Sequence, residues 1–367
     1  MRVLILSVSA GYGHHSAANA VSAELTRRGA DVIIEDLYQY VSRAIHDIIE
    51  NGYLFSVRHL KKPYHLAYNA LEKSEEKRRI VSLLTANRFI ARRFASFFDE
   101  YTPDVIVTTH VFGAQVLDIL KGHGLLPAPV IGIVTDYCMH PFWEDLRHIG
   151  YIVIPSELMI YSAVRKGIDR DKLLPLGLPV RAEFSACTPA SEARRKLGLA
   201  PDRRTVLIMG GSMGYGSMLT TVASILELDI DLDVICICGS NDRLRRRLEH
   251  LQNRGRLRIL GFVDNVCEYM DAADCVITKP GGCTVTEALC KALPMVLTEP
   301  IPGHEERNAD FLVRAGAAIL TDKEFTPAEA VYDLFNRPER LDMLRNASAL
   351  LRHPDAAARI CDLIMDM

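Results

Sequence analysis

Short, uninterrupted apolar runs recur along the whole chain, and each ends at Gly, Pro, Asp or Asn. The runs are rich in Val, Ile and Leu without polar alternation, which is typical of parallel strands buried on both faces. The predicted strands are residues 3–8, 31–34, 104–108, 130–134, 151–154, 205–209, 232–238, 257–260, 275–278 and 295–297. Helical patterns lie between them, for example at 16–28 and 284–292. This alternation predicts an α/β fold with doubly wound parallel sheets.

The alternation starts twice. A strand running into a glycine-rich turn opens each half of the chain, first in LILSVSAGYGHHSAA and later in VLIMGGSMGYGSM. We therefore predict two Rossmann-like domains, residues 1–183 and 184–345, facing each other across a cleft. Residues 346–367 are predicted to form a C-terminal helix that packs back toward the first domain. The 367 residues contain enough apolar material for two cores.

Composition excludes several classes of protein. A net charge of −3 gives no basic field for nucleic acid. The nine cysteines include no CxxC pair, so no metal site is predicted, and free thiols indicate a reducing compartment. The apolar runs are short, so no membrane-spanning helix is predicted. We expect a cytoplasmic protein, or one on a membrane face.

One segment, residues 57–94, does not follow the alternating pattern of strands and helices. It holds ten Lys and Arg residues against three Glu, with aromatic residues interleaved. Such a segment could dock on an anionic bilayer, where each basic residue contributes on the order of 1 kcal/mol. The alternative is a solvated helix face with i,i+4 ion pairs. The residues that we select for membrane contact are Arg58, Lys61, Lys62, Arg78 and Arg79.

Two motifs of the first half place histidine and aspartate after buried strands. In Gly11-Tyr12-Gly13-His14-His15, the glycines allow close approach of a ligand, and His14 is a candidate general base. The alternative for His14 is a capping or surface histidine. In TDYCMHPFW, Asp136 and His140 could reach the same ligand, and Trp143 could pack on a lipid or a sugar or simply within its loop.

Glycine turns of the second half can bind phosphate. Residues 210–214 read GGSMG and precede a predicted helix, whose amides favour anions; the absence of Gly-Lys-Ser/Thr excludes a Walker A loop. In TKPGGCTVTEA, the Pro-Gly-Gly turn opens a helix suited to a diphosphate, and Glu287 could bind the two hydroxyls of a ribose. Alternatively, Thr284 and Glu287 form a capping box. A fifth motif, PIPGHEERN, follows the next strand, where its polar side chains would meet the far end of the same ligand.

Six motifs, GYGHHSAA, IVTDYCMHPFW, PLGLPVRAEF, GGSMG, TKPGGCTVTEAL and PIPGHEERNADFL, occur in the order found in glycosyltransferase family 28. They span nearly the whole chain. The chain most resembles the group of monogalactosyldiacylglycerol synthases and processive diacylglycerol glucosyltransferases. The resemblance implies a GT-B fold, with an acceptor domain followed by a nucleotide-sugar domain. It further implies inverting transfer of glucose or galactose from a UDP-sugar to diacylglycerol, with no cofactor and no essential protein-bound metal.

The resemblance also assigns residues to roles. His14 matches the catalytic base and Asp136 is expected to act beside it, while His140 and Trp143 match the acceptor-side loop that meets lipid. The residues expected to bind the UDP-sugar are Gly13, Gly210, Gly211, Ser212, Lys279, Pro280, Gly281, Gly282, Thr284, Glu287, His304, Glu305 and Asn308. A lipid acceptor places the enzyme peripherally on the cytoplasmic face of the membrane.

One departure affects the choice of sugar. Related sequences usually carry Gly-Gln-Glu where this chain has Gly303-His304-Glu305, and that glutamine is associated with the sugar hydroxyls. Histidine also donates and accepts hydrogen bonds, so we still expect the protein to be active. The alternatives are an N-acetylglucosamine transferase acting on a peptidoglycan lipid, and a UDP-sugar 2-epimerase of similar architecture. Neither a nucleic-acid partner nor a dinucleotide cofactor is expected.

Overall fold

The computed structural model describes residues 1–8, 12–37, 70, 74, 97–98, 101–214, 216–251 and 255–367. The first sheet contains β1 (Arg2–Ser7), β2 (Asp31–Asp36), β3 (Val105–Thr108), β4 (Val130–Ile133), β5 (Tyr151–Val153) and β6 (Leu173–Leu174). The second contains β7 (Arg204–Met209), β8 (Leu232–Ile237), β9 (Leu257–Leu260), β10 (Cys275–Thr278), β11 (Met295–Leu297) and β12 (Ala318–Leu320).

Helices follow most of these strands. They are α1 (Tyr12–Arg27), α2 (Val111–Gly122), α3 (Ile160–Arg165), α4 (Ala190–Lys196), α5 (Met218–Leu226), α6 (Asp242–Leu248), α7 (Val266–Ala272), α8 (Gly282–Cys290), α9 (His304–Arg314), α10 (Pro327–Asn336), α11 (Pro338–Leu351) and α12 (Ala356–Met365). Single 3₁₀ turns lie at Pro141–Trp143, Glu157–Met159, Arg170–Lys172 and Ala182–Phe184. The order of elements is that of an α/β fold.

Both sheets are parallel throughout. The strand order is β2-β1-β3-β4-β5-β6 in the first and β12-β11-β10-β7-β8-β9 in the second. All ten predicted strands are present, which confirms the prediction of two doubly wound sheets. The two strands that were not predicted, β6 and β12, have two and three residues and lie at sheet edges. The two residues of β6 are too few to form an apolar run, whereas β12 is a short apolar stretch, Ala-Ile-Leu, that was not predicted to be a strand.

The chain divides into two compact units. Unit 1 consists of Met1–Ala182, Ile301–His304 and His353–Met367, and unit 2 of Glu183–Pro300 and Glu305–Arg352. The core of unit 1 combines β1, β3 and β4 with one face of α1 and with Ile360 and Ile364 of α12. The core of unit 2 combines β7, β8 and β10 with α5, α10 and α11. Each unit therefore has its own hydrophobic core around one sheet.

Helix α12 closes the core of unit 1 from the end of the chain. It packs along α1, where the Cys361 thiol lies 3.7 Å from the Val21 carbonyl oxygen. The Arg28 guanidinium makes an ion pair of 2.5 Å with Asp362. Residues 346–351 continue α11 in unit 2, so the tail that joins unit 1 begins at His353.

Candidate active site

The order of strands defines one position in each sheet where a ligand is expected. In unit 1 the chain leaves β1 toward β2 and later continues from β3 in the opposite direction, and β1 and β3 are neighbours. In unit 2 the same reversal lies between β7 and β10. Ligands of open parallel sheets bind at such switch points, beyond the carboxyl ends of the strands. His14 follows β1, whereas Lys279 follows β10.

His14 lies in the first turn of α1, which begins at Tyr12 rather than near Ser16 as the sequence predicted. Its Nδ1 atom is 2.8 Å from the carbonyl oxygen of Thr109, the residue after β3. A carbonyl oxygen can only accept, so Nδ1 donates its hydrogen and Nε2 keeps a free lone pair. The Thr135 hydroxyl, 2.9 Å from Nδ1, lies on the same side of the ring. The contact with the Thr109 carbonyl selects the tautomer that a general base requires, and the Thr135 hydroxyl, which can donate or accept, is compatible with it.

The environment of His14 favours the neutral ring. Burial lowers the pKa of His14 below its usual 6.5, and the electrostatic effect of His304 lowers it further. The charge of Asp136 and the hydrogen bond to Thr109 act in the opposite direction, since both stabilise the protonated ring. The net shift is downward. At neutral pH His14 is therefore unprotonated and able to accept a proton.

Two further histidines of unit 1 are held neutral by similar means. His110 caps α2 and His140 caps the turn Pro141–Trp143, and each Nδ1 accepts a backbone N–H, at 3.1 and 3.3 Å. The His110 ring meets the His14 ring edge-on with centroids 4.4 Å apart. Burial is the main cause that lowers the pKa of His110 well below 6.5 and that of His140 to about 3. Both side chains therefore present Nε2–H as a donor.

The acceptor-side loop is anchored by Trp143, the only tryptophan of the chain. Trp143 is 3% exposed, and its ring lies against Gly132 of β4, where an added Cβ atom would lie 2.5 Å from Cζ3. This placement matches the alternative of loop packing. The indole does not lie on the surface that the lipid-contact hypothesis for Trp143 requires. Neighbouring His140 and Asp136 are partly exposed.

In unit 2 an ion pair spans two neighbouring strand ends. The Lys279 ammonium, after β10, lies 2.9 Å from the carboxylate of Glu305 in α9. Glu305 is buried, while Lys279 keeps part of its surface exposed. The Asn308 amide, one turn further along α9, donates to the Pro280 carbonyl at 3.0 Å. Both side chains of α9 thus hold the turn that contains Pro280.

Helix α8 starts directly at the Pro-Gly-Gly turn. Its N-cap is Gly281, in extended conformation and without a side-chain cap, and Gly282 is its first residue. The Thr284–Glu287 capping box, considered as an alternative, is therefore not formed. Both residues are partly exposed and lie inside the helix. The two glycines at the start of α8 carry no side chain that would cover its first amides, which suits a diphosphate.

The loop after β7 is fixed through close backbone contacts. Gly214 has φ +55° and a Cβ there would lie 2.2 Å from the Cys238 carbonyl, which only glycine permits. The Ser212 carbonyl accepts from the Ser240 amide at 2.8 Å. Gly211 lies beside Lys279, because a Cβ atom added to Gly211 would be 3.4 Å from Cε of the lysine. Gly210, Gly211 and Ser212 are thereby brought to the same switch point as Lys279.

Several residues at the two switch points were not found from the sequence. In unit 2, the residues that line an open pocket include Lys279, Ser217 and Glu299. The Glu299 carboxylate accepts from the Ser217 amide at 3.1 Å and from its hydroxyl at 2.5 Å, and Glu299 has φ +46°. In unit 1, Thr109 and His110 were overlooked. The available signal was their position directly after the apolar run of β3.

Some predictions fall outside the described residues. Gly11 is one, and the basic residues selected for membrane contact are the others: Arg58, Lys61, Lys62, Arg78 and Arg79. Over the described residues, no helix is long and apolar enough to cross a membrane. In the same part of the chain, no three His, Cys, Asp or Glu side chains are arranged to hold a metal ion.

Comparison with known proteins gives matches over both units. Residues 14–180 match the profile of monogalactosyldiacylglycerol (MGDG) synthase, and residues 205–360 match the glycosyltransferase family 28 C-terminal domain. A processive diacylglycerol beta-glucosyltransferase of Bacillus mycoides is 30% identical over 371 residues, covering 99% of this chain and 93% of the relative. The enzyme of the same name from Bacillus subtilis is 28% identical, and the match covers 94% of this chain and 89% of the relative.

Solved structures agree at the level of the fold. Acinetobacter baumannii MurG superposes with a TM-score of 0.62 at 16% identity, covering 100% of this chain and 99% of that one. Anabaena HepE in complex with UDP-glucose superposes with a TM-score of 0.58 at 15% identity, and the match covers 100% of both chains. The likeness to these structures over the whole chain confirms the predicted GT-B fold. The chain belongs to glycosyltransferase family 28, in the group of the MGDG synthases and the processive diacylglycerol beta-glucosyltransferases.

Proposed function

We propose that the protein transfers glucose from UDP-glucose to diacylglycerol, with inversion at the anomeric carbon, and so makes a membrane glycolipid. The relatives that cover nearly the whole chain carry the name of this activity. The observation that carries the proposal is the 2.8 Å contact between His14 Nδ1 and the Thr109 carbonyl. Burial keeps the imidazole neutral, and because Nδ1–H is donated to that carbonyl, the lone pair lies on Nε2, at a ligand-binding position of this fold.

In the proposed step, His14 Nε2 accepts the proton of the acceptor hydroxyl as that oxygen attacks C1 of glucose. The bond between C1 and the diphosphate oxygen breaks, and UDP leaves with the bonding electrons. A single displacement inverts the configuration. Asp136 is the second catalytic residue of the proposal, because its negative charge stabilises the imidazolium that forms.

The leaving diphosphate gains charge, and we assign its stabilisation to the glycine turns and Lys279. The amides of Gly210, Gly211, Gly281 and Gly282 would act as fixed donors that need no reorganisation. Lys279 adds a full positive charge, held in place by Glu305. We therefore propose that these groups take the role of a metal ion. Transfer that continues unchanged in a chelator would support this, and strict dependence on a divalent cation would refute it.

The remaining donor contacts follow the family assignment. We assign Glu287 to the ribose hydroxyls, Ser212 and Thr284 to the phosphates, and Gly13 to the approach of the sugar. Pro280 and Asn308 would keep the turn before α8 in shape. His304 stands where relatives carry glutamine, and we assign it to the sugar hydroxyls. His304 thus becomes the residue to change when donor choice is tested.

We further propose peripheral binding to the cytoplasmic face of an anionic membrane, where diacylglycerol is found. The Lys and Arg residues of segment 57–94 are the basis of this proposal. Replacing Arg58, Lys61 and Lys62 by Gln should reduce transfer on anionic vesicles more than on detergent-dispersed acceptor. Equal loss on both, or no loss, would argue against this role.

The reaction is tested by mass spectrometry of the lipid products. Purified protein is incubated with diacylglycerol vesicles in three parallel reactions, which contain UDP-glucose, UDP-galactose or UDP-N-acetylglucosamine as the donor. Formation of glucosyl-diacylglycerol with UDP-glucose supports the proposal, and the number of hexoses per lipid is read from the same spectra. A parallel reaction contains a peptidoglycan lipid instead of diacylglycerol, and the nucleotide sugar is analysed as well. Product only from UDP-N-acetylglucosamine and the peptidoglycan lipid would refute the proposal, as would epimerised nucleotide sugar without any lipid product.

A further inference from the structure

Helix α3 and the 3₁₀ turn before it are apolar on two opposite faces. Met159 and Ala163 point inward and are buried. Leu158, Tyr161 and Val164 are exposed at 58%, 75% and 42%. Side chains three residues apart lie on one side of a helix, so these three form one exposed stripe, called the outer stripe below. A surface helix usually has a single apolar face, and a second one indicates an interaction surface.

The outer stripe carries the features of a segment that rests at a lipid–water boundary. The Arg165 guanidinium, next to Val164, lies 5.9 Å from the centre of the Tyr161 ring. Tyrosine is enriched at membrane interfaces, where its ring lies at the level of the headgroups. Arginine buries its aliphatic stem and keeps its charge at the same depth. An anionic phospholipid headgroup would complement this exposed cation.

The stripe is also tied to the acceptor-side loop. Lys166, the C-cap of α3, makes an ion pair of 3.1 Å with Glu144, the residue directly after the turn Pro141–Trp143. His140 caps the other end of that turn. Glu144 and Lys166 are both partly buried. A surface that contacts the outer stripe is therefore brought next to the loop assigned to the acceptor.

We propose that the outer stripe docks on an anionic lipid bilayer and so brings the acceptor loop to the membrane surface. The choice of a bilayer rests on the proposed function, because a diacylglycerol acceptor is itself embedded in one. A second copy of the chain fits less well. A stable protein interface buries about 800 Å² on each partner, far more than three side chains in one short helix offer.

The test measures binding to sedimentable vesicles of phosphatidylcholine and phosphatidylglycerol without any sugar donor. The full chain is compared with the variant Leu158→Ser, Tyr161→Ser, Val164→Ser. A matched control is Met343→Ser, Leu350→Ser on α11 in unit 2, where the two side chains are 69% and 87% exposed. All five positions are exposed, so folding should persist, and thermal unfolding by circular dichroism checks it.

We expect the triple variant to bind vesicles roughly tenfold more weakly and the control variant to bind as the wild type does, because membrane affinity scales with buried apolar area. Equal binding of the triple variant and the wild type would overturn the proposal. So would equal losses in the triple and control variants. A wild-type dimer in sedimentation velocity that dissociates in the triple variant, with vesicle binding unchanged, would identify the stripe as a contact between copies instead.

A second readout separates this surface from the reaction itself. Transfer to a short-chain diacylglycerol dispersed without vesicles should be the same in the triple variant and the wild type. Loss of vesicle binding with this activity intact supports the docking surface. If the wild type binds vesicles through the stripe but forms no glycolipid with any donor, the docking surface stands and the proposed function fails.

Discussion

Lys279 and Glu305 follow adjacent strands of the second sheet, and their side chains meet at 2.9 Å with the carboxylate buried. The pair fixes the lysine at the pocket that also contains Ser217 and Glu299. Lys279 keeps part of its surface exposed, so a ligand in that pocket can reach its charge. If the donor binds in this pocket, as proposed, the ion pair should affect its binding.

Replacing Glu305 by Gln should weaken UDP binding. Gln keeps the size of the side chain but removes the charge that holds the Lys279 ammonium, so the cation loses its fixed position. We expect the dissociation constant of UDP, measured by calorimetry, to rise about tenfold. This is the size of effect expected when roughly one charge-assisted hydrogen bond is lost. Asp310→Asn, on the same helix and exposed, is the control. An unchanged constant in Glu305→Gln would separate this ion pair from donor binding.

The pH dependence of transfer should follow His14. Burial lowers the pKa of His14, and the base acts in its neutral form, so kcat/KM should stay high as pH falls through 6.5 and decline only below it. Asp136→Asn removes a charge that raises this pKa, so the acid limb should move to still lower pH and the plateau should drop. His15→Gln, at the exposed neighbour, should leave the profile unchanged. An acid limb at or above 6.5 would contradict the burial argument.

The stability of unit 1 should fall in mild acid because of His140. Its pKa is about 3 in the folded chain and near 6.5 when unfolded, so between these values the unfolded state binds more protons. Stability is thus lost as pH falls from about 6.5 toward 3. His140→Asn keeps an N-cap acceptor without a titrating ring.

Urea unfolding of wild type and His140→Asn at pH 7 and pH 5 measures this contribution. We expect the loss of unfolding free energy between these pH values to be smaller in the variant by up to about 2 kcal/mol. His148→Asn serves as the comparison at another histidine of unit 1. Identical pH dependence in His140→Asn and the wild type would show that His140 titrates normally.

Gly132→Ala should displace the Trp143 ring. The added Cβ would lie 2.5 Å from Cζ3, which the rigid indole cannot accommodate, so a loss of about 1–3 kcal/mol in unfolding free energy is expected. Trp143 is the only tryptophan, so its fluorescence reports the change directly, as a shift to longer wavelength. Gly150→Ala, where the nearest atom is 3.9 Å away, is the matched control. An unchanged spectrum in Gly132→Ala would contradict the packing described for this loop.

The fold could be predicted from the sequence because strands buried on both faces leave continuous apolar runs. Strand order could not, since neighbouring strands are distant in the chain. That is why the sequence singles out His14 and Asp136 but not Thr109 and His110: β3 lies between β1 and β4 only in the assembled sheet. The run of β3 marks Thr109 and His110 as residues at a strand end, but it does not show that Thr109 contacts His14.

Local patterns were least informative about how helices begin. The spacing of Thr284 and Glu287 fits a capping box, yet α8 begins two residues earlier, at Gly282. A glycine N-cap leaves no signal of that kind. The contact of Glu299 with Ser217, 82 residues apart, likewise depends on the position of β11 beside β10 and on a positive φ at a residue other than glycine.

The most direct test of the account is the rate of glucosyl transfer by His14→Ala, with UDP binding measured on the same preparation. Without the base, we expect kcat/KM to fall by about 10²–10⁴-fold while the dissociation constant of UDP changes by less than about threefold. That result would place His14 in the chemical step. Transfer by His14→Ala within about tenfold of the wild type would contradict the assignment of His14 as the catalytic base.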